Sequence, residues 1–294
     1  MIKIINSLPE MVEAVALANS AANEADRVSA LCGLALEPDA EIFKSLDPFS
    51  DAYRDAVLNL YLRIAGQSNY NPSEQELSPY LEQISDTRPG YYLPGRTELV
   101  GDILAAMGSI LREMGLREGQ RLLEYGAGEG GIALEAAKCG VDVTVVDIEQ
   151  RYLSIIQRRA ARAEVNINTI QGEFGCDAGG KFDVVLFYEA FHHAIDHFSV
   201  ACKVREMLNP GGRLILSGEP VIGLHNEQWK SSVPYPWGLR MDGLSFRAIQ
   251  TYGWMELGFE EGYFIEMLKR AGYNVDFRRS LATDRANCYV ATIA

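Results

Sequence analysis

Three of the chain's four histidines fall in the string Glu189-Ala190-Phe191-His192-His193-Ala194-Ile195-Asp196-His197. Imidazole titrates near neutral pH and is the commonest general base. The string therefore suits proton abstraction, with His193 or His192 as base and Glu189 or Asp196 placed to orient a ring. Glu219, in Gly218-Glu219-Pro220, is a second carboxylate able to take a proton or hold a substrate hydroxyl. The ligand types His192, His193, Asp196, His197 and Glu219 would also suit a metal ion. Adjacent histidines tend to point apart, however, and no metal site is assigned. A structural reading competes throughout: the histidine pair can pack a loop, and Asp196 can be the N-cap of the next helix.

A second constellation lies upstream, in Leu122-Leu123-Glu124-Tyr125-Gly126-Ala127-Gly128-Glu129-Gly130-Gly131. An apolar strand runs into glycines and a helix follows, so the backbone can turn with positive φ and approach a ligand closely. Gly126-x-Gly128-x-x-Gly131, with Asp147 about 20 residues on, also fits the dinucleotide fingerprint. That leaves a nicotinamide cofactor and S-adenosylmethionine (SAM) both in play. Charge separates them. A pyrophosphate on a helix N-terminus wants donors and positive potential, whereas Glu124 and Glu129 bring carboxylates. SAM presents an ammonium and a sulfonium, for which acidic neighbours are favourable.

Glu124-x-Gly126-x-Gly128-x-Gly130 resembles the acidic, glycine-rich signature of class I SAM-dependent methyltransferases. Further pieces follow in that family's order: Val145-Val146-Asp147, Gln171-Gly172-Glu173-Phe174, Phe182-Asp183-Val184-Val185-Leu186-Phe187, and Asn209-Pro210-Gly211-Gly212-Arg213-Leu214-Ile215-Leu216. The resemblance covers about residues 97–294. It implies a Rossmann-like α/β fold, a seven-stranded sheet in the order 3-2-1-4-5-7-6 with strand 7 antiparallel. It also implies roles: Glu124, Gly126, Ala127 and Gly128 near the methionine moiety, Asp147 on the ribose hydroxyls and Ile148 beside the adenine. Glu173 and Phe174 would flank the adenine, and Tyr188 and Glu189 would face the reacting end. Arg96-Thr97, after Tyr91-Tyr92, could reach the SAM carboxylate or simply open a helix.

The elements that must position these residues are legible as patterns. Strands are expected at Arg121–Tyr125, Asp142–Asp147, Asn168–Gln171, Phe182–Phe187 and Arg213–Ser217, with helices at Thr97–Met114, Gly130–Lys138, Tyr152–Ala163 and Phe198–Leu208. Such alternation implies a parallel sheet with right-handed crossovers. A helix at Phe264–Arg270 leads to Asn274–Leu281 and Asn287–Ile293, an antiparallel hairpin. Residues 1–90 read as a helical N-terminal cap, serving as a lid or a homodimer surface. In it Tyr53, Val57, Leu60, Tyr61 and Ile64 form one stripe, Gly66 is the stop, and Pro72, Pro79 and Pro89-Gly90 mark a connector. The methyltransferase-like domain then spans 91–294. Within it, about 220–262 is an insertion holding Trp229, Trp237, Trp254, Tyr235, Phe246, Tyr252, Phe259 and His225. Connections this long are usually functional; the segment reads as a substrate-binding insertion, with a minor core of its own as the other reading.

The composition bounds the rest. A formal charge of −13 and a pI near 4.8 oppose sequence-independent nucleic-acid binding, which needs Lys and Arg clusters. Arg151, Arg158, Arg159 and Arg162 read as a solvated helix face. Five scattered cysteines without a CxxC pair suggest neither a disulfide framework nor a thiolate zinc site. No apolar run approaches the ~20 residues of a membrane span, and no signal peptide is visible, so a cytoplasmic protein is expected. The function expected is SAM-dependent O-methylation of a small polar metabolite, with a sugar or glycan precursor as the favoured acceptor and N-methylation second. The rivals are an NAD-dependent oxidoreductase and a non-catalytic methyltransferase-like binding domain.

Overall fold

The computed structural model describes residues 2–37, 43–76, 88–92, 95–223 and 236–294. Pro79, His225, Trp229 and Tyr235 lie outside the described residues. The chain divides into two compact units, one of residues 1–77 with 220–265 and the other of residues 78–219 with 266–294.

The second unit is built on one sheet of seven strands: β1 (Arg121–Tyr125), β2 (Asp142–Asp147), β3 (Ile167–Gln171), β4 (Phe182–Tyr188), β5 (Leu208–Ser217), β6 (Tyr273–Arg278) and β7 (Cys288–Ile293). Their spatial order is β6-β7-β5-β4-β1-β2-β3. The four pairings among β1–β5 are parallel, and β7 runs antiparallel to both β5 and β6. This is the order 3-2-1-4-5-7-6 read from the opposite edge.

Strands β1, β2 and β4 read as apolar runs rather than alternating ones because both of their faces are covered. Leu122, Leu123, Val143, Val145, Val184 and Leu186 are all buried. The helices that cover them include α1 (Thr97–Met114), α2 (Gly131–Lys138), α3 (Gln150–Arg162) and α4 (His197–Glu206). α1 presents Ala106, Met107, Ile110 and Met114 to the core and stops at Gly115, whose φ of 53° is the left-handed cap. Strand β5 begins five residues before the expected Arg213, so that Asn209-Pro210-Gly211-Gly212 is drawn into the strand. The irregular register between Phe182 and Val184 absorbs it.

The first unit departs from an all-helical expectation. Lys3–Ile5 and Leu34–Leu36 form a parallel two-stranded pair. Strands of three residues leave no period to read, which is why the sequence hides them. The helices Leu8–Asn19, Glu24–Cys32 and Asp51–Ala65 follow expectation, and Gly66 closes the last at φ 67°. Residues 220–265 join this unit. Leu257–Glu260 is the centre of a three-stranded sheet, parallel to Val221–Ile222 and antiparallel to Trp237–Leu239. Two buried phenols bind the pieces together: Tyr53 donates to the Trp237 carbonyl and Tyr61 to the Gly253 carbonyl, both at 2.6 Å. Trp237, Phe246 and Phe259 are buried inside this unit. These aromatics make a core and offer no open face for stacking. Among the described residues, no helix is long and apolar enough to cross a membrane.

Candidate functional site

The site is assembled at the carboxyl ends of β1, β2, β4 and β5, where an open α/β sheet places its ligands. At the end of β1 the chain turns through Gly126, Gly128 and Gly130, with φ of 64°, 51° and 69°. The last is the N-cap of α2. Gly126 is needed for space as well as φ, since a Cβ there would meet Ala190 Cβ at 2.9 Å and Phe174 Cε1 at 3.3 Å. A Cβ on Gly128 would meet nothing within 4 Å, so this side of the loop opens on room for a ligand. Ala127 lies between them, packed on the unit's core.

Glu124 stands beneath that loop, 3% exposed. Its Oε2 is buried and has no hydrogen-bond partner. Burial pushes the carboxyl up to about 8, with the Ala133 N–H acting against the shift and Asp147 adding to it. An acid so placed suits a cation. Asp147 ends β2 and is pushed up to about 6 by burial. Its Oδ2 accepts from Gly128 N at 3.2 Å and its Oδ1 from Glu149 N at 2.9 Å, so β2 and the glycine turn share one carboxylate. Ile148 follows, half-buried, and its carbonyl accepts from Gln171 Nε2. Glu173 is exposed and Phe174 half-buried; the Phe174 ring meets Tyr125 and Phe187 edge-on at 6.0 and 5.3 Å.

Glu129 is less of a free negative charge than its place in the loop implies. Arg159, 7% exposed, donates to the Glu129 carbonyl at 2.7 Å and lies 3.6 Å from its carboxylate. Arg159 therefore faces the loop, not a solvated helix face. The electrostatic case for a cationic ligand rests on Glu124 and Asp147.

At the end of β4, Tyr188 is half-buried, and burial raises its phenol, with Glu189 adding, Arg285 opposing, and Glu124 and Tyr91 adding less. Glu189 takes φ 50°, a conformation that costs a non-glycine residue about 1 kcal/mol or more. Its carboxylate pairs with Arg285 at 2.7 Å. The chain then winds through the short helix Phe191–His193, and Glu219 holds that turn. Its Oε1 accepts from Ala190 N and Phe191 N at 3.1 and 2.9 Å, its Oε2 accepts from His192 N at 3.0 Å, and the same oxygen lies 2.8 Å from His192 Nδ1. Burial raises Glu219 to about 7 against these donors.

The histidine rings do not diverge as adjacent residues usually do: His192 and His193 lie 4.4 Å apart between centroids, 35° between planes. The 3-10 geometry of the turn brings them to one side. His197 is fully buried, and loss of solvent lowers it to about 4, leaving a neutral ring against Phe191 with Nδ1 3.3 Å from the Ala194 carbonyl. Asp196 does occupy the N-cap of α4, but its side chain makes no cap bond. The sequence placed Glu219 near the site; its bond to His192 across 27 residues was not readable. Sequence reasoning also missed residues 88–92, which dock on the glycine loop through Gly90 N–H to the Glu129 carboxylate, 2.9 and 2.8 Å to its two oxygens. Pro89-Gly90 signalled only a turn.

A mostly parallel sheet in this order, with a glycine turn over a buried acid and an aspartate closing the next strand, has the arrangement of a class I, Rossmann-like methyltransferase domain. SAM is its cofactor. The orphaned Glu124 oxygen and the open side of Gly128 fit a ligand carrying positive charge.

Comparison with known proteins agrees. Residues 122–212 match the family model described as a methyltransferase domain. The chain is 34% identical over 127 residues to a ubiquinone biosynthesis O-methyltransferase of Azorhizobium caulinodans, covering 42% of this chain and 50% of that protein. It is 33% identical over 103 residues to the protein of the same name from Cereibacter sphaeroides, covering 34% and 41% respectively. The chain thus spans half or less of the length of these curated relatives. PigF, solved with S-adenosylhomocysteine (SAH), superposes with a TM-score of 0.52 at 13% identity over 82% of this chain and 69% of its own. A Nostoc punctiforme structure, described provisionally as an O-methyltransferase, gives 0.52 at 16% identity over 86% and 71%. At such identities both speak for the fold alone.

Proposed function

We propose that the protein transfers the methyl group of SAM to a hydroxyl of a small-molecule acceptor, with His192 as the base that takes the hydroxyl proton. The supporting observation is the 2.8 Å contact between His192 Nδ1 and Glu219. A carboxylate that already accepts three backbone N–H groups is an acceptor, so Nδ1 carries the proton and Nε2 the lone pair. Glu219 is a positioning residue: it fixes both the tautomer and the turn on which the ring rides. His193, 4.4 Å from that ring, is the neighbour most able to tune it. Bound SAM supplies an electrophilic methyl on a sulfonium, displaced in line. This chain's residues hold the cation through Glu124, the ribose through Asp147, and the adenine between Ile148, Glu173 and Phe174, and they remove the acceptor's proton. An O-methyltransferase name among the relatives supports a hydroxyl acceptor. The sugar preference loses part of its support, because Trp237, Phe246 and Phe259 are buried.

The test incubates the protein with methyl-labelled SAM and three probes: a catechol (3,4-dihydroxybenzoate), a methyl glycoside and benzylamine. Label should appear on a hydroxyl, and His192→Ala should lower that rate by about 10²-fold or more. Glu219→Gln should shift the acid limb of the pH–rate profile while leaving SAM affinity intact. Labelling of the amine alone, or full activity in His192→Ala, would overturn the reading.

A further inference from the structure

The segment just before α1 is built as a closed turn. Tyr92 N–H donates to the Pro89 carbonyl, and the Arg88 guanidinium donates to the Tyr92 carbonyl at 2.7 Å. The Tyr91 and Tyr92 rings stack at 4.9 Å. Two observations tie this turn to the cofactor loop. Gly90 N–H points between the two oxygens of Glu129, the loop's own carboxylate, whose main chain Arg159 holds at 2.7 Å. Tyr91 packs on the same core as Tyr188, Ala127 and Met107, its hydroxyl 3.8 Å from Met107 Sδ. Met107 in turn lies under Gly131, where a Cβ would sit 3.1 Å from its methyl.

We propose that residues 88–92 are a strap belonging to the SAM site, latched by the Gly90–Glu129 contact, with Tyr91 as a cofactor-facing wall. The proposal rests on the reading of the glycine loop as the SAM site. Its chemistry is consistent with that ligand. Tyr91 lies close enough to Tyr188 to help keep the Tyr188 phenol neutral, and Glu124 adds to that effect. Neutral aromatic faces beside a buried carboxyl suit a sulfonium, which is attracted to π-faces. Latching explains why a glutamate stands in a loop otherwise made of small residues. It joins a strap N–H to a guanidinium that cannot leave α3.

SAH is the probe, because its release needs no acceptor. Gly90→Pro deletes the donor and leaves the Glu129–Arg159 pair intact; Tyr91→Ala removes the wall. Each should speed SAH dissociation by about tenfold, for Gly90→Pro through the lost hydrogen bond to a charged group and for Tyr91→Ala through the lost aromatic contact. Wild-type backbone amides at 88–92 should gain hydrogen-exchange protection on SAH saturation, and Gly90→Pro should lose that gain. Circular dichroism checks that both variants fold, and Glu266→Gln, exposed on the helix Glu261–Arg270 and paired with Arg270 at i,i+4, is the control. Unchanged SAH off-rates in both variants, or no protection at 88–92 in the wild type, would overturn the strap while leaving the SAM site standing. Failure of the wild type to bind SAH would overturn both.

Discussion

The charge of one buried carboxyl links this site's cofactor to a measurable proton. Burial holds Glu124 at about 8, so near neutral pH it is mostly protonated. A bound ammonium or sulfonium favours the ionised form. SAM binding at pH 7 is therefore expected to expel a proton, approaching about one per site. Calorimetric titration in two buffers of different ionisation enthalpy reads that number directly. Heats independent of buffer would contradict the assignment, and Glu124→Gln should abolish the release. The stability sign follows from the same shift. Because the folded pKa lies above the ordinary carboxyl value of 4.5, the contribution is complete below that pH and is lost as pH rises through about 8. His197 works oppositely: lowered from 6.5 to about 4, its contribution is present above 6.5 and lost as pH falls through 4. At this scale the sequence was informative about residue types but not about partners. Glu124, Asp147 and the histidine pair declared themselves. Glu219's role as the holder of His192 did not, because nothing local marks a contact closed across two strand ends, and Arg159 hid its contact in a run of exposed arginines.

At the scale of elements, the glycine turn separates a structural demand from a binding one. A Cβ at Gly130 would lie 2.6 Å from Ile156 Cγ1, a side chain 1% exposed, on a backbone at φ 69°. Gly130→Ala is expected to cost about 2–3 kcal/mol of stability. A Cβ at Gly128 would meet nothing, so Gly128→Ala should cost only about 1 kcal/mol for its positive φ. It should nonetheless weaken SAM binding by about tenfold or more, since it fills the side on which a ligand backbone contact is made. Urea melts and SAH titrations on the two variants decide it; equal losses of affinity per unit of lost stability would contradict the division. The same turn shows why the parallel sheet was legible. β1 and β2 fall where the apolar runs Leu122–Tyr125 and Val143–Val146 end in a glycine and an aspartate, and covered parallel strands leave little else to read. The three-residue strands near the N-terminus and the Val221–Ile222 strand are shorter than any period. The Pro-Gly-Gly start of β5 carried a turn signal that tertiary pairing overrode.

For the whole molecule, the division into units does not follow the order of the chain, and the buried phenols show what enforces it. The helix Asp51–Ala65 and the segment 236–265 are far apart in sequence, yet Tyr53 and Tyr61 each spend a hydroxyl on a carbonyl of that segment. Burial raises both phenols, so they act as neutral donors at any physiological pH. Removing one hydroxyl leaves a buried carbonyl without its donor, a loss of about 1–2 kcal/mol. Tyr53→Phe and Tyr61→Phe should each lower the stability of the unit by that amount. Their helix positions are two turns apart, so the double variant should lose roughly the sum. The three tryptophans, Trp229, Trp237 and Trp254, all fall between residues 220 and 265, so fluorescence-monitored urea unfolding reports on this unit selectively. An unchanged midpoint in Tyr61→Phe would mean that the Gly253 carbonyl finds another donor, and that the 51–65 helix is held to residues 236–265 by the Tyr53–Trp237 bond and apolar packing.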